Sequence, residues 1–171
     1  MINYIEKGAW LHQLIASLGY SIWHEDGVCK SSDDTAVQAI IDNFDPLPSA
    51  KKEHIDLVNK TAGEARVRYV TDIPFQEAAY QAKEVDVRRY KADGYPTDLT
   101  LYPFTAAEAE ATGLTPTQAA DAIITQADQW VFLSVLIEKL RRKATVEIAA
   151  ETNWVNVSVI ANGYIAQLEA I

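Results

Sequence analysis

The densest run of side chains able to do chemistry is Trp23-His24-Glu25-Asp26, followed shortly by Cys29. An imidazole, two carboxylates and a thiol could ligate a metal. Zinc sites, however, use ligand pairs at characteristic spacings, and no second pair follows here. In an extended strand His24 and Asp26 point to one side and Glu25 to the other, so the run reads as the end of a surface hairpin. The catalytic alternative is a hydrolase with His24 working beside these carboxylates. His12 falls on the polar side of the first helix, and His54 follows the charged run Lys51-Lys52-Glu53. Nothing in the sequence pairs either histidine with a nucleophile. The carboxylates of Glu84 and Asp86, and of Glu108 and Glu110, stand two apart on helices and do not face each other. Together with Asp33-Asp34 they read as caps and solubilising charges. The seven glycines are scattered and form no phosphate-cradling loop. No metal, nucleotide or other cofactor is therefore expected.

Composition narrows the partners. The formal net charge is -9, which opposes general nucleic-acid binding, because phosphate neutralisation needs clustered Lys and Arg. The one basic cluster, Lys139, Arg141, Arg142 and Lys143, reads as a solvated helix face. Cys29 is the only cysteine, which excludes an intrachain disulfide. No window has the roughly 18 consecutive apolar residues of a membrane helix, so no membrane partner is expected. The opening MINYIEKGAW lacks the pattern of a signal peptide, which points to a cytoplasmic setting.

The element that must position everything else is a long helix from about 115 to 150. Thr115 and Gln118 form a capping box, Pro116 sits where a missing N–H costs nothing, and no Gly or Pro follows until Gly163. At 1.5 Å per residue it spans roughly 50 Å. The predicted fold class is α+β, mainly α: a small N-terminal β-hairpin/helix unit over 1–45, then a helical bundle over 46–171. In the first unit, Ile2 to Ile5 suits a short strand and Trp10 to Leu18 a helix. The Asp26-Gly27 turn joins two strands, and Ser32-Asp33-Asp34 caps a helix through Phe44. Asp45-Pro46-Leu47-Pro48 marks the boundary. Ser49 then caps a helix ending near Thr71, and Pro74 opens one through Tyr90 that Asp93-Gly94 closes. A loop over 94–104 packs its aromatic residues over helix ends. Ala106 to Thr112 is a short helix. The last segment fits either a strand or a helix; the helix is favoured, broken or kinked at Asn162-Gly163.

The contact surface is sought in the middle of the long helix. Seven of the eight residues from Trp130 to Ile137 are large and apolar, which covers most of the helix circumference and predicts burial on nearly every side. The cover is either the centre of an intrachain bundle or a core shared between subunits, and the sequence leaves both open. The candidate protein-binding residues are Trp130, Phe132, Leu133, Leu136, Ile137 and Trp154, with self-association into a homo-oligomer expected.

The segments IPFQEAAYQAKEVDVRRYKADGYP, YPFTAAEAEATGLTPTQAADAIITQADQW and IEKLRRKATVEIAA resemble a helical module of tailed-bacteriophage tail proteins. The residues that carry the resemblance are Pro74, Gln76, Tyr80, Lys83, Tyr90, Tyr102, Pro103, Gly113, Thr115, Trp130, Ile137, Glu138 and Arg141. The leading DDTAVQAIIDNFDPLP is similar to short tail-fibre-associated proteins. The chain departs from that pattern at Phe75 and over its final twenty residues. The resemblance implies a non-enzymatic subunit of the tail, or a chaperone of fibre assembly, that contacts a tail or fibre protein. Its place would be the virion tail, or the host cytoplasm during assembly. An alternative for a small acidic chain is a phage-encoded inhibitor that binds a bacterial defence or regulatory protein.

Overall fold

A computed structural model describes residues 2–69 and 76–171. Among the described residues there are seven helices and one two-stranded antiparallel sheet, so the fold is mainly α with a small β-hairpin. The elements are α1 (Ala9–Ser17), β1 (Ile22–Glu25), β2 (Val28–Ser31), α2 (Asp34–Asn43), α3 (Leu47–Val67), α4 (Gln76–Ala92), α5 (Pro103–Thr112), α6 (Pro116–Ala150) and α7 (Trp154–Glu169). Thr71, Pro74 and Phe75, where one helix was expected to end and the next to begin, lie outside the described residues.

Contacts divide the chain into two compact units. One comprises Met1–Lys60 with Arg142–Ala166, the other Thr61–Arg141 with Gln167–Ile171. The division does not fall at Asp45–Pro48, because α3 and α6 each contribute residues to both units. A break between α2 and α3 is present at Pro46, but it is shorter than expected. α3 begins at Leu47 rather than beyond Ser49, with Pro48 in its first turn, where no N–H is missed. Asp45 Oδ1 accepts from the Leu47 N–H at 2.9 Å and takes the capping role expected of Ser49.

In the first unit, α1, α2 and the hairpin enclose Leu11, Ile15, Cys29, Val37 and Ile41, with Ile2 completing the cluster. Each large side chain buried there stabilises by about 1.5–3 kcal/mol relative to exposure. The hairpin turns at Asp26 (φ 53°) and Gly27 (φ 71°), the left-handed pair that matches strand twist, and pairs Glu25 with Val28. Asp33 caps α2 through the Ala36 N–H at 3.0 Å. Lys7 Nζ donates to the Ile41 and Phe44 carbonyls at the end of α2, both at 2.7 Å, which places a cation at the negative end of that helix. Ile2 to Ile5 is not a strand. It is tied by the Ile2 N–H to the Cys29 carbonyl and by the Gln38 side chain to both backbone groups of Asn3. The final segment is the helix α7, and it passes through Asn162-Gly163 without the expected break. Val157 and Ala161 are buried just before that point, and Tyr164 just after it donates to Glu147 Oε1 at 2.6 Å, so packing holds the helix across a weak former.

In the second unit, α4, α5 and the N-terminal part of α6 enclose Val87, Tyr90, Tyr102, Ala120 and Ile124. The expected aromatic packing by loop 94–104 is present: the Tyr95 and Tyr102 rings stand edge-on to Tyr90, with centroids 5.4 and 5.2 Å away. α4 stops where Gly94 turns left-handed (φ 80°) and Tyr95 N–H reaches back to the Tyr90 carbonyl at 3.0 Å. α5 starts at Pro103, three residues earlier than expected. Its N-cap, Tyr102, supplies no side-chain acceptor. Asp86 of α4 supplies it instead: Oδ2 accepts from the Thr105 N–H at 2.9 Å and from Thr105 Oγ1 at 2.8 Å, and both residues are buried. The capping box of α6 forms as expected, with the Thr115 N–H donating to Gln118 Oε1 at 3.1 Å and the Gln118 N–H donating to Thr115 Oγ1 at 3.3 Å.

Candidate protein-interaction site

The side chains around His24 do not converge. His24 and Cys29 are cross-strand partners, but Cys29 is buried under the first core while His24 is exposed. Burial pushes the Cys29 thiol up from its ordinary value. Glu25 pairs with Lys30 at 2.8 Å. The shallow hollow beside the hairpin is lined by Trp23, Glu25, Lys30, Ser31 and Asp34, without His24. His12 Nε2 meets the Tyr4 hydroxyl at 2.7 Å, and His54 Nδ1 donates to the Ala50 carbonyl at 2.8 Å. Among the described residues no three His, Cys, Asp or Glu side chains surround a point that could hold a metal ion. No described helix is long and apolar enough to cross a membrane.

The apolar middle of α6 behaves differently from its expectation. It is not buried on nearly all sides. Val131 is 53% exposed, Phe132 70% and Val135 64%. Ile137 on the other side is fully buried, and Trp130, Leu133 and Leu136 are half-buried. One turn of helix therefore carries both core and surface, because a 100° step per residue separates Phe132 from Ile137 by about 140°. Of the sequence candidates, the structure brings Trp130, Phe132, Leu133, Leu136 and Ile137 together on one helix segment of the second unit. Of these only Phe132 is mostly exposed, and Ile137 is a core residue instead. Trp154 belongs to the first unit, where its ring stands edge-on to Trp10 at 6.1 Å and Trp10 Nε1 donates to Glu53 Oε2 at 2.6 Å.

The exposed residues form an ordered stripe. Asp128, Phe132, Val135 and Lys139 follow one another at spacings of four, three and four, the pattern of a helix-pairing seam, with Val131 on its flank. The other side of α6 in this segment is held by core packing of Ile137 and Leu140. α4 crosses α6 nearer its start, where Lys91 pairs with Asp121 at 2.8 Å and Arg88 bridges Asp128 and Glu84. Residues 78–82 of α4 are exposed. A shallow groove of about 630 Å³ beside the stripe is lined by Tyr69, Gln126, Gln129, Trp130, Phe132 and Leu133. Sequence reasoning missed Val131, Val135, Asp128 and Lys139 as site residues. The signal was the four-three-four spacing, hidden by the apolar residues on the other faces.

Behind the stripe, Glu138 is gripped by two arginines. Arg141 donates from Nε at 2.9 Å and from Nη2 at 2.6 Å, and Arg66 of α3 donates from Nη2 at 2.8 Å. The Arg141 hydrogen bonds, then the charges of Arg141 and Arg66, lower the Glu138 carboxyl from its ordinary 4.5 to about 2. A carboxyl lowered by folding stabilises the fold above its unfolded-state value and loses that contribution as pH falls toward the folded value. The wild-type protein is therefore expected to melt above Glu138→Gln at neutral pH. The gap should close between pH 4.5 and 2 in a series of thermal melts. A gap independent of pH would show that the pairing contributes nothing.

No family model, curated protein sequence or solved structure matches the chain.

Proposed function

We propose that this chain is a bacteriophage tail-associated structural or fibre-assembly protein that acts through protein–protein contacts. The observation that carries the reading is the stripe on α6, where three large apolar side chains stand more than half exposed on a well-packed helix. Large apolar residues gathered on one exposed face mark interaction surfaces, whereas scattered single ones do not. The type of partner comes from the resemblance of most of residues 30–150 to tailed-bacteriophage tail proteins. The second reading, an inhibitor of a bacterial defence or regulatory protein, draws on the net charge of -9 in a chain of 171 residues.

The test is co-expression of the tagged chain with the tail-fibre and baseplate proteins encoded beside its gene, followed by purification and mass measurement. A stoichiometric complex with one of them is expected. Recovery of a defined host regulatory protein in 1:1 ratio would select the inhibitor reading. Recovery of the chain with neither would overturn both.

A further inference from the structure

We infer that the occupant of the α6 stripe is a second copy of this chain, lying antiparallel on α6 about a two-fold axis between Leu133 and Ser134. This rests on the reading of the stripe as a contact surface and names its partner. The argument is charge complementarity along the seam. The stripe runs from an acidic end through an apolar middle to a basic end: Asp128, then Phe132 and Val135, then Lys139. The acidic end keeps net negative charge even with its local cation, because Arg88 is shared between Asp128 and Glu84. The Asp128 and Lys139 side chains both lie on the exposed face.

Two copies in parallel would set Asp128 against Asp128 and Lys139 against Lys139. Two copies in antiparallel order, with the axis between positions 133 and 134, set Asp128 of each against Lys139 of the other. The same register sets Phe132 against Val135 and Val131 against Leu136. One operation thus covers the exposed apolar residues and pairs the charges at both ends, as a closed two-fold contact must. The seam spans about 16 Å between Asp128 and Lys139, taking 1.5 Å per residue. A contact this short gives weak association, with dimer populated at concentrations on the order of 10–100 μM.

The test is sedimentation equilibrium of the purified chain alone over a wide concentration range, with helicity by circular dichroism as the folding control. A monomer–dimer equilibrium is expected. Phe132→Asp should abolish it with helicity retained, since Phe132 is mostly exposed. Lys139→Glu sets like charges together twice across the axis and should weaken dimerisation by about tenfold. Adding Asp128→Lys to Lys139→Glu should restore most of that loss. A strict monomer at every concentration overturns the proposal, as does a dimer that survives Phe132→Asp. A dimer lost with Phe132→Asp but not restored by the double charge exchange overturns the antiparallel register. None of these outcomes depends on a tail protein, so failure here leaves the co-expression result standing on its own.

Discussion

Replacing Asp86 by alanine is expected to lower stability by about 2–4 kcal/mol. Asp86 is 7% exposed and Thr105 is fully buried. The carboxylate accepts two hydrogen bonds there, from the backbone N–H and the hydroxyl of Thr105. Alanine removes the one oxygen, Oδ2, that accepts both bonds and leaves two donors without partners in a place water does not reach, so the desolvation cost of each is uncompensated. It also uncaps α5, whose own N-cap residue, Tyr102, makes no capping bond. For a chain of this length the expected fall in melting temperature is roughly 5–15 °C. Asp86→Asn keeps an acceptor oxygen in place and should cost about 1 kcal/mol. Thr105→Val removes one donor and leaves the other paired, and should fall between the two. Denaturant unfolding of the three variants checks the order. An Asp86→Ala protein that unfolds within a degree of wild type would show that the cap is not a tertiary one.

The second large effect is a contrast within one helix. Ile137→Ala is expected to cost about 2–5 kcal/mol, because a fully buried side chain leaves a cavity its neighbours fill only in part. Phe132→Ala, five residues earlier and a larger truncation, is expected to change stability by no more than about 0.5 kcal/mol in dilute solution. The measurement is thermal or denaturant unfolding at low micromolar concentration, below the range where copies would pair. At higher concentration Phe132→Ala should lower the melting temperature relative to wild type, because binding that favours the folded chain adds to its stability by mass action. Equal loss from both substitutions in dilute solution would mean that Phe132 is core, and the interaction face would have to be sought elsewhere.

Much of the architecture was legible in the residues themselves. The span of α6 followed from Thr115, Pro116 and Gln118 at one end and an unbroken helical run beyond them, since capping and helix propensity are local properties. The Asp26-Gly27 hairpin and the Asp33 cap were legible for the same reason: each is decided within a few residues of chain. Where the sequence misled, a distant residue had intervened. α5 begins at Pro103 instead of Ala106 because a carboxylate about twenty residues earlier caps it. α7 runs through Gly163 because packing on either side outweighs one poor helix former. The division into two units could not be read from Pro46 and Pro48, because prolines report a local break, and the unit boundaries fall within α3 and α6.

The interaction site divides in the same way. That residues 130–137 form one continuous helix with apolar side chains around most of its circumference was legible locally. Which of them face inward was not, because that depends on what packs against the helix. Ile137 is sealed, while Val131, Phe132 and Val135 face outward beside Asp128 and Lys139. Hydrophobicity is a property of the side chain, and burial is a property of its neighbours. When a helix is apolar all round, periodicity carries no phase, and the phase comes from the elements packed against it.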